Sequence, residues 1–137
     1  GYMTAWAISQ TDRFKAAVMG AGLPNMISDN SLGDIPSANL SYFETTPYHD
    51  PDSYYERSAI RHIRNVRTPT LILHGEEDRR VSVAEGIEMY QALRTLGVET
   101  VFVTYPREPH GITERKHQRD VLTRVIGWYE RLLTSVN

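Results

Sequence analysis

The chain has no cysteine among its 137 residues. That excludes a disulfide scaffold and a thiolate metal site, and it favours the cytoplasm as the compartment. No apolar run approaches the roughly 20 residues that span a bilayer, so no membrane role is expected. Excess charge is also scarce: 15 basic residues stand against 17 acidic ones, a formal net charge of −2. No strong field therefore draws nucleic acid or an anionic surface. No secretory leader is expected, and no repeat or low-complexity segment runs through the chain. None of its histidines has the helical two-histidine spacing of a metal site, so neither metal nor cofactor is expected. What remains is an ordinary globular composition, 40% hydrophobic and 23% charged, sufficient for one domain with a real core.

Hydrophobic periodicity divides this domain into alternating elements. Tyr2, Met3, Ala5, Trp6, Ala7 and Ile8 predict a short, mostly buried helix that stops at Thr11-Asp12. Lys15 to Gly20 is an apolar run ending in glycine, as in a buried parallel strand. Ala21 to Tyr48 is rich in Ser, Asn, Asp, Pro and Gly, which predicts loop with one or two short helical turns, one at Pro24 to Ser28. Asp50-Pro51 reads as an N-cap with proline at the first helical position, opening a helix through about Arg57. Thr68 to Gly75 is a buried strand with proline at its entry and glycine at its exit. Ser82-Val83-Ala84-Glu85 has the form of a capping box. The helix after it runs to about Leu96, with an inner stripe of Ala84, Ile87, Tyr90, Leu93 and Leu96, and Gly97 ends it. Val98 to Tyr105 is the next strand. A last helix starts at Thr113 or Glu114, with Val121, Leu122, Val125, Ile126, Tyr129, Leu132 and Leu133 as its apolar face. This order implies an α/β architecture: about three parallel strands, right-handed crossovers and flanking helices on both faces.

Chemistry in such sheets gathers at the carboxyl ends of the strands. His74-Gly75-Glu76-Glu77-Asp78-Arg79-Arg80-Val81-Ser82 leaves the second strand, and Pro109-His110-Gly111 leaves the third. His110 follows Asp78 by 32 residues. The two side chains should therefore hang at one sheet edge from adjacent strands. A serine hydroxyl is a weak nucleophile. It needs a base within hydrogen-bond reach, and the base needs a carboxylate to fix its tautomer and stabilise its charged form. Acid followed by histidine is the chain order of the last two triad members in α/β-hydrolases. Asp78 is thus the candidate acid and His110 the candidate base. Gly75 and Gly111 are expected to let the backbone turn tightly beside them.

His74 to Ser82 followed by Pro109-His110-Gly111 resembles the prolyl oligopeptidase family of serine peptidases, closest to its acylaminoacyl-peptidase and dipeptidyl-peptidase branches. Thr11-Asp12-Arg13-Phe14-Lys15-Ala16-Ala17-Val18, Glu88 to Leu93 and Leu96 to Glu99 share the likeness, which covers essentially the whole chain. Gly1-Tyr2-Met3-Thr4 looks like the stretch just after the nucleophile in the family's Gly-x-Ser-x-Gly-Gly-Tyr-Met pattern. The resemblance implies an α/β-hydrolase fold, of which residues 1–137 form a C-terminal part. It implies a peptidase acting on short or N-acylated peptides, with Asp78 as triad acid and His110 as triad base. It also sets Leu23, Asn25, Met26 and Val81 near the substrate's side-chain pocket. Ser82 departs from the family's usual proline, and serine caps a helix equally well.

By the same resemblance, the serine would lie about three residues before Gly1. Both oxyanion donors would then lie upstream. Loss of a triad serine alone costs roughly 10⁶ in turnover, so these residues by themselves are expected to be inert. The strand at Lys15 to Gly20 would also have an open edge, and self-association through it is expected. An esterase of the same fold and a non-catalytic oligomer-forming module are the alternatives. His74 reads as structural. His49, His62 and His117 read as surface residues, and Glu76 and Glu77 as solvated. Tyr42, Tyr48, Tyr54 and Tyr55 read as core and loop packing, because nothing basic accompanies them as nucleic-acid stacking would require.

Overall fold

Thr70-Leu71-Ile72-Leu73-His74-Gly75 is buried at all six positions, as a strand covered on both faces must be. In the computed structural model, which describes residues 1–134, this strand is the middle one of three parallel strands. It is β2 (Thr70–Gly75), with β1 (Ala17–Gly20) on one side and β3 (Thr100–Tyr105) on the other. Val18 lies opposite Leu71, and Leu73 opposite Val103. Side chains alternate across the sheet with the period of two that a pleated strand imposes. Ala17, Met19 and Ile72 face one core; Val18, Leu71, Leu73 and Tyr105 face the other.

Three helical elements cover the first face: α1 (Tyr2–Gln10), the 3₁₀ helix Ala59–Asn65 and α5 (Val83–Thr95). They contribute Ala5, Ile8, Ala59, Met89 and Leu93 to that core. The second face is covered by α6 (Arg115–Leu133), which buries Trp128 and packs Val121, Val125, Tyr129 and Leu132 against the strands. The expected architecture of parallel strands with helices on both faces is therefore present.

The stretch expected to be loop with one or two helical turns holds two helices, the first overlapping the turn expected at Pro24 to Ser28. α2 (Met26–Leu32) starts at Asn25, whose side chain accepts hydrogen bonds from the Ile27 and Ser28 amides. α3 (Pro36–Phe43) starts at proline. Neither carries a helical stripe of apolar residues, since Leu32, Leu40 and Tyr42 are exposed. Tertiary contacts hold them instead: Met26 is buried and Asn39 donates to Asp29 at 3.2 Å. α4 (Pro51–Glu56) is capped by Asp50, which accepts from the Ser53 amide as expected.

The inner stripe of α5 is turned from the expected one. Glu85, Gly86, Met89 and Leu93 are buried, whereas Ile87 is 45% exposed and Leu96 42%. Gly86 allows the helix to approach Phe102 and His74 closely: a Cβ there would come within 3.1 Å of the Phe102 ring. The helix rolls onto its glycine, and Ile87 turns outward. Likewise Leu122, Ile126 and Leu133 of α6 face outward. Gly97 ends α5 at φ +74°, as a glycine cap should. The capping box is half formed: Ser82 accepts from the Ala84 amide at 3.3 Å, but the Glu85 carboxylate bonds elsewhere.

Met89→Ala is expected to cost about 2–5 kcal/mol of stability, and Ile87→Ala to stay within about 0.5 kcal/mol. Urea denaturation of the two variants checks the rolled orientation, because the sequence stripe alone gives the opposite ranking.

Candidate active site

β2 and β3 end level with each other, Gly75 opposite Tyr105. The turn after β2 carries Asp78, and the loop after β3 carries His110. Gly75 brings these two segments together. A Cβ on it would fall 2.3 Å from the carbonyl oxygens of Glu108 and Pro109. No other residue leaves room for that contact. The Glu77 amide then donates to the Glu108 carbonyl at 3.0 Å, tying the acid turn to the histidine loop. Gly75 thus serves close approach rather than a left-handed turn. The chain bends at His110 and Gly111 as expected, but Gly111 has open space around it and no positive φ, so the bend does not require glycine.

The Asp78 side chain is fully buried. Its Oδ1 accepts from the backbone amides of Arg80 and Val81, each at 2.9 Å. Its Oδ2 accepts from His110 Nδ1 at 2.9 Å. Charge-assisted bonds of this kind are the strong ones, and three of them fix the carboxylate without rotation. His110 is half exposed, with its side chain at 50%. Because Nδ1 is used inward, Nε2 is the nitrogen left to take a proton. The structure therefore brings the two sequence-selected site residues into the geometry of an acid and its base.

His74 is buried behind this pair. Its Nε2 donates to the Val81 carbonyl at 2.9 Å and lies 3.4 Å from Asp78 Oδ2. It braces the turn that carries the acid, the structural role expected of it. The guanidinium of Arg80 turns away from Asp78 to pair with Asp34 at 2.6 Å. Glu76 is exposed as expected, and accepts from Thr104 Oγ1 at 2.7 Å. His49 and His62 are exposed or partly so, but His117 is not a surface residue. Its side chain is 12% exposed and its Nδ1 lies 2.6 Å from Glu108 Oε1.

Beyond the acid lies a second group of buried carboxyls. Glu85 accepts from Ser28 Oγ at 2.5 Å and from the Asn25 amide at 3.3 Å. It thereby pins the start of α2 to α5. Burial pushes its carboxyl up to about 7, aided by the nearby charges of Glu88 and Asp29 and opposed by the two hydrogen bonds. Burial likewise raises Asp29, against a hydrogen bond from Asn39 and with a further push from Asp78. Leu23 and Met26 line a cavity of about 510 Å³ together with Tyr2, Asn39, Tyr42, Phe43 and Arg57. Asn25 caps α2, and Val81 is buried in the acid turn. Of the four tyrosines expected to pack, only Tyr54 is buried, stacked on Phe43 with centroids 3.9 Å apart. Tyr42 is 85% exposed.

The profile of the prolyl oligopeptidase family matches residues 1–136. The chain belongs to that family. A relative named as the uncharacterized peptidase YuxL of Bacillus subtilis is 34% identical over 97% of this chain and 21% of its own length. The acylamino-acid-releasing enzyme of Arabidopsis thaliana is 29% identical over 96% of this chain and 18% of its own. Among solved structures, the acylaminoacyl peptidase of Pyrococcus horikoshii superposes with a TM-score of 0.90 at 25% identity, covering 99% of this chain and 23% of that one. A puromycin-hydrolyzing peptidase of Mycobacterium tuberculosis gives 0.87 at 27% identity, covering 97% and 21%. The chain thus spans about a fifth of the length of the relatives it matches.

Seen as a member of the prolyl oligopeptidase family, the chain places one more residue meaningfully. Gly1 packs on the backbone beyond β1, where a Cβ would lie 2.2 Å from Gly22 Cα and 2.4 Å from the Gly20 carbonyl. The start of α1 therefore sits at the same carboxyl edge as Asp78 and His110. Sequence reasoning did not find Glu85, Glu108 or His117 as buried polar anchors. Glu108 and His117 stand in polar stretches, where a charged residue ordinarily reads as solvated, and Glu85 reads as half of a capping box.

The folded chain holds the Glu85 proton more tightly than the unfolded chain does. Its contribution to stability is therefore full below about pH 4.5, the ordinary value, and is lost as pH rises through about 7. Glu85→Gln should remove that loss, so the variant gains on the wild type between pH 4.5 and pH 8. Thermal unfolding across this range checks it; a pH-independent difference would contradict the assignment.

Proposed function

We propose that Asp78 and His110 are the acid and base of a serine-type peptidase that acts on short or N-acylated peptides. The hydrogen bond from His110 Nδ1 to the buried Asp78 carboxylate carries this reading. The serine would come from the residues preceding Gly1, whose seat at the sheet edge supports that position. His110 Nε2 takes the serine proton as Oγ attacks the carbonyl carbon, and Asp78 stabilises the imidazolium that forms. The same nitrogen then gives its proton to the leaving amine. Water repeats the sequence on the acyl-enzyme, with His110 again as base and then acid.

The names of relatives support an acyl-peptide substrate: several are acylamino-acid-releasing enzymes, and one is a probable dipeptidyl-peptidase of Aspergillus clavatus. The cavity at Leu23, Met26, Tyr42 and Phe43 is mostly apolar and of a size to take one large side chain.

The 137 residues alone are expected to turn over no N-acyl-amino-acid anilide. Joined to the residues encoded before Gly1, they should do so. Asp78→Asn should then lower kcat by about 10⁴, the effect of the same change in an unrelated triad. Full activity in His110→Ala would overturn the assignment. Turnover of esters with none of anilides would favour an esterase, and inertness in every form a non-catalytic module.

We also propose that the 137-residue chain by itself associates with a second copy through the outer edge of β1. That edge pairs with no strand among the described residues, and exposed Met3 and Phe14 flank it. Unpaired amides and carbonyls beside apolar side chains form a template for another strand. Sedimentation at micromolar concentration should show dimers or larger species; a single monomer would contradict this.

A further inference from the structure

The loop that carries His110 is closed by a residue two positions before it. The Glu108 side chain is fully buried, yet among the described residues no lysine or arginine pairs with it. Each of its oxygens accepts two hydrogen bonds. Oε2 takes the Thr113 amide at 2.7 Å and the Thr113 hydroxyl at 2.9 Å. Oε1 takes the Glu114 amide at 2.9 Å and His117 Nδ1 at 2.6 Å. Burial would raise this carboxyl, but the four bonds outweigh it and hold it at about 2. The clamp is thus charged throughout the neutral range.

These partners define what the carboxylate does. Thr113 and Glu114 sit at the entrance to α6, and the Glu114 carboxylate makes no capping bond there, accepting from Arg107 instead. Glu108 holds the amides of the two residues that lead into the helix and, through His117, its first turn, where a negative charge is favoured by the helix dipole. Residues 109–112 are therefore held at both ends by one side chain, with His110 between. The Glu108 carbonyl meanwhile accepts from the Glu77 amide at 3.0 Å, one residue before Asp78. One residue thus ties the base loop to α6 and to the acid turn. Glu108, Glu114 and His117 also offer ligand atoms within 4.8 Å of one another. A cation there would have to displace bonds that already fill both Glu108 oxygens, so the geometry reads as a clamp.

We propose that Glu108 is a positioning residue for His110, closing its loop onto α6 so that Nδ1 stays directed at Asp78. This rests on reading His110 as the base. Loss of the carboxylate would leave four donors unpaired, two of them backbone amides, and the loop would open to satisfy them with water. The ring would then sample orientations in which Nδ1 no longer reaches Asp78.

The test is the tautomer of His110 in the 137-residue chain, read from its ring nitrogen shifts by NMR above the titration range. The wild type should hold the Nδ1–H form. Glu108→Ala should shift the ring towards the Nε2–H excess of free histidine. Glu108→Gln should shift it part-way, and serves alone where the alanine variant does not fold. Met89→Val, a core truncation distant from the loop, should lower the melting temperature and leave the tautomer unchanged. An unchanged Nδ1–H form in folded Glu108 variants would overturn the positioning role. So would a tautomer shift in Met89→Val, which would trace the effect to stability alone. An Nε2–H ring in the wild type would overturn the acid–base pair itself, and the positioning role with it.

Discussion

A carboxylate taken out of water must find partners, and the partners that Asp78 finds organise the whole carboxyl edge of the sheet. Two are the amides of Arg80 and Val81, which fold the acid turn around Oδ1. The Val81 carbonyl then receives His74 from inside β2. The remaining oxygen is satisfied from the loop after β3, where His110 reaches it at 2.9 Å. That loop reaches so far only because Gly75 has no side chain to hold it off. A buried acid, a glycine and a half-exposed histidine are thus one structural solution, and each loses its reason if another is removed.

Much of this was legible in the sequence because the signals are local and redundant. A buried central strand bounded by proline and glycine is unmistakable in Thr68 to Gly75, and the spacing of Asp78 and His110 follows from parallel strands. A helical turn at the start of α2 was legible, but the full length of α2 and the whole of α3 were not, because polar residues hold them: Asn25 caps one, and Asn39 reaches Asp29 from the other. Hydrophobic periodicity has nothing to register there. The face of α5 was misplaced for a related reason. A scale that rewards Ile87 cannot see that Gly86 permits the closest approach to the sheet, nor that Glu85 is buried against Ser28. Glu108 escaped notice because an acid in a proline-rich turn ordinarily faces water. Only its four donors, which come from residues up to nine positions later, show otherwise.

The division of labour at the edge suits acyl transfer. The acid is immobile and dry, which strengthens its grip on the imidazole. The base is half exposed, which lets Nε2 meet a nucleophile and a leaving group. Buried Glu85 secures the start of α2 and with it Met26, which lines the cavity shared with Leu23 and Phe43. The relatives that the chain matches are about five times its length.

The most direct test of the account is covalent labelling by an aryl fluorophosphonate, read by mass spectrometry, on a chain that joins these 137 residues to those encoded immediately before Gly1. The account expects one adduct, on a serine in the turn just before Gly1, and its loss in His110→Ala. An adduct that forms equally well without His110, or a wild-type chain with no adduct at all, would contradict the claim that Asp78 and His110 serve a nucleophile at this edge.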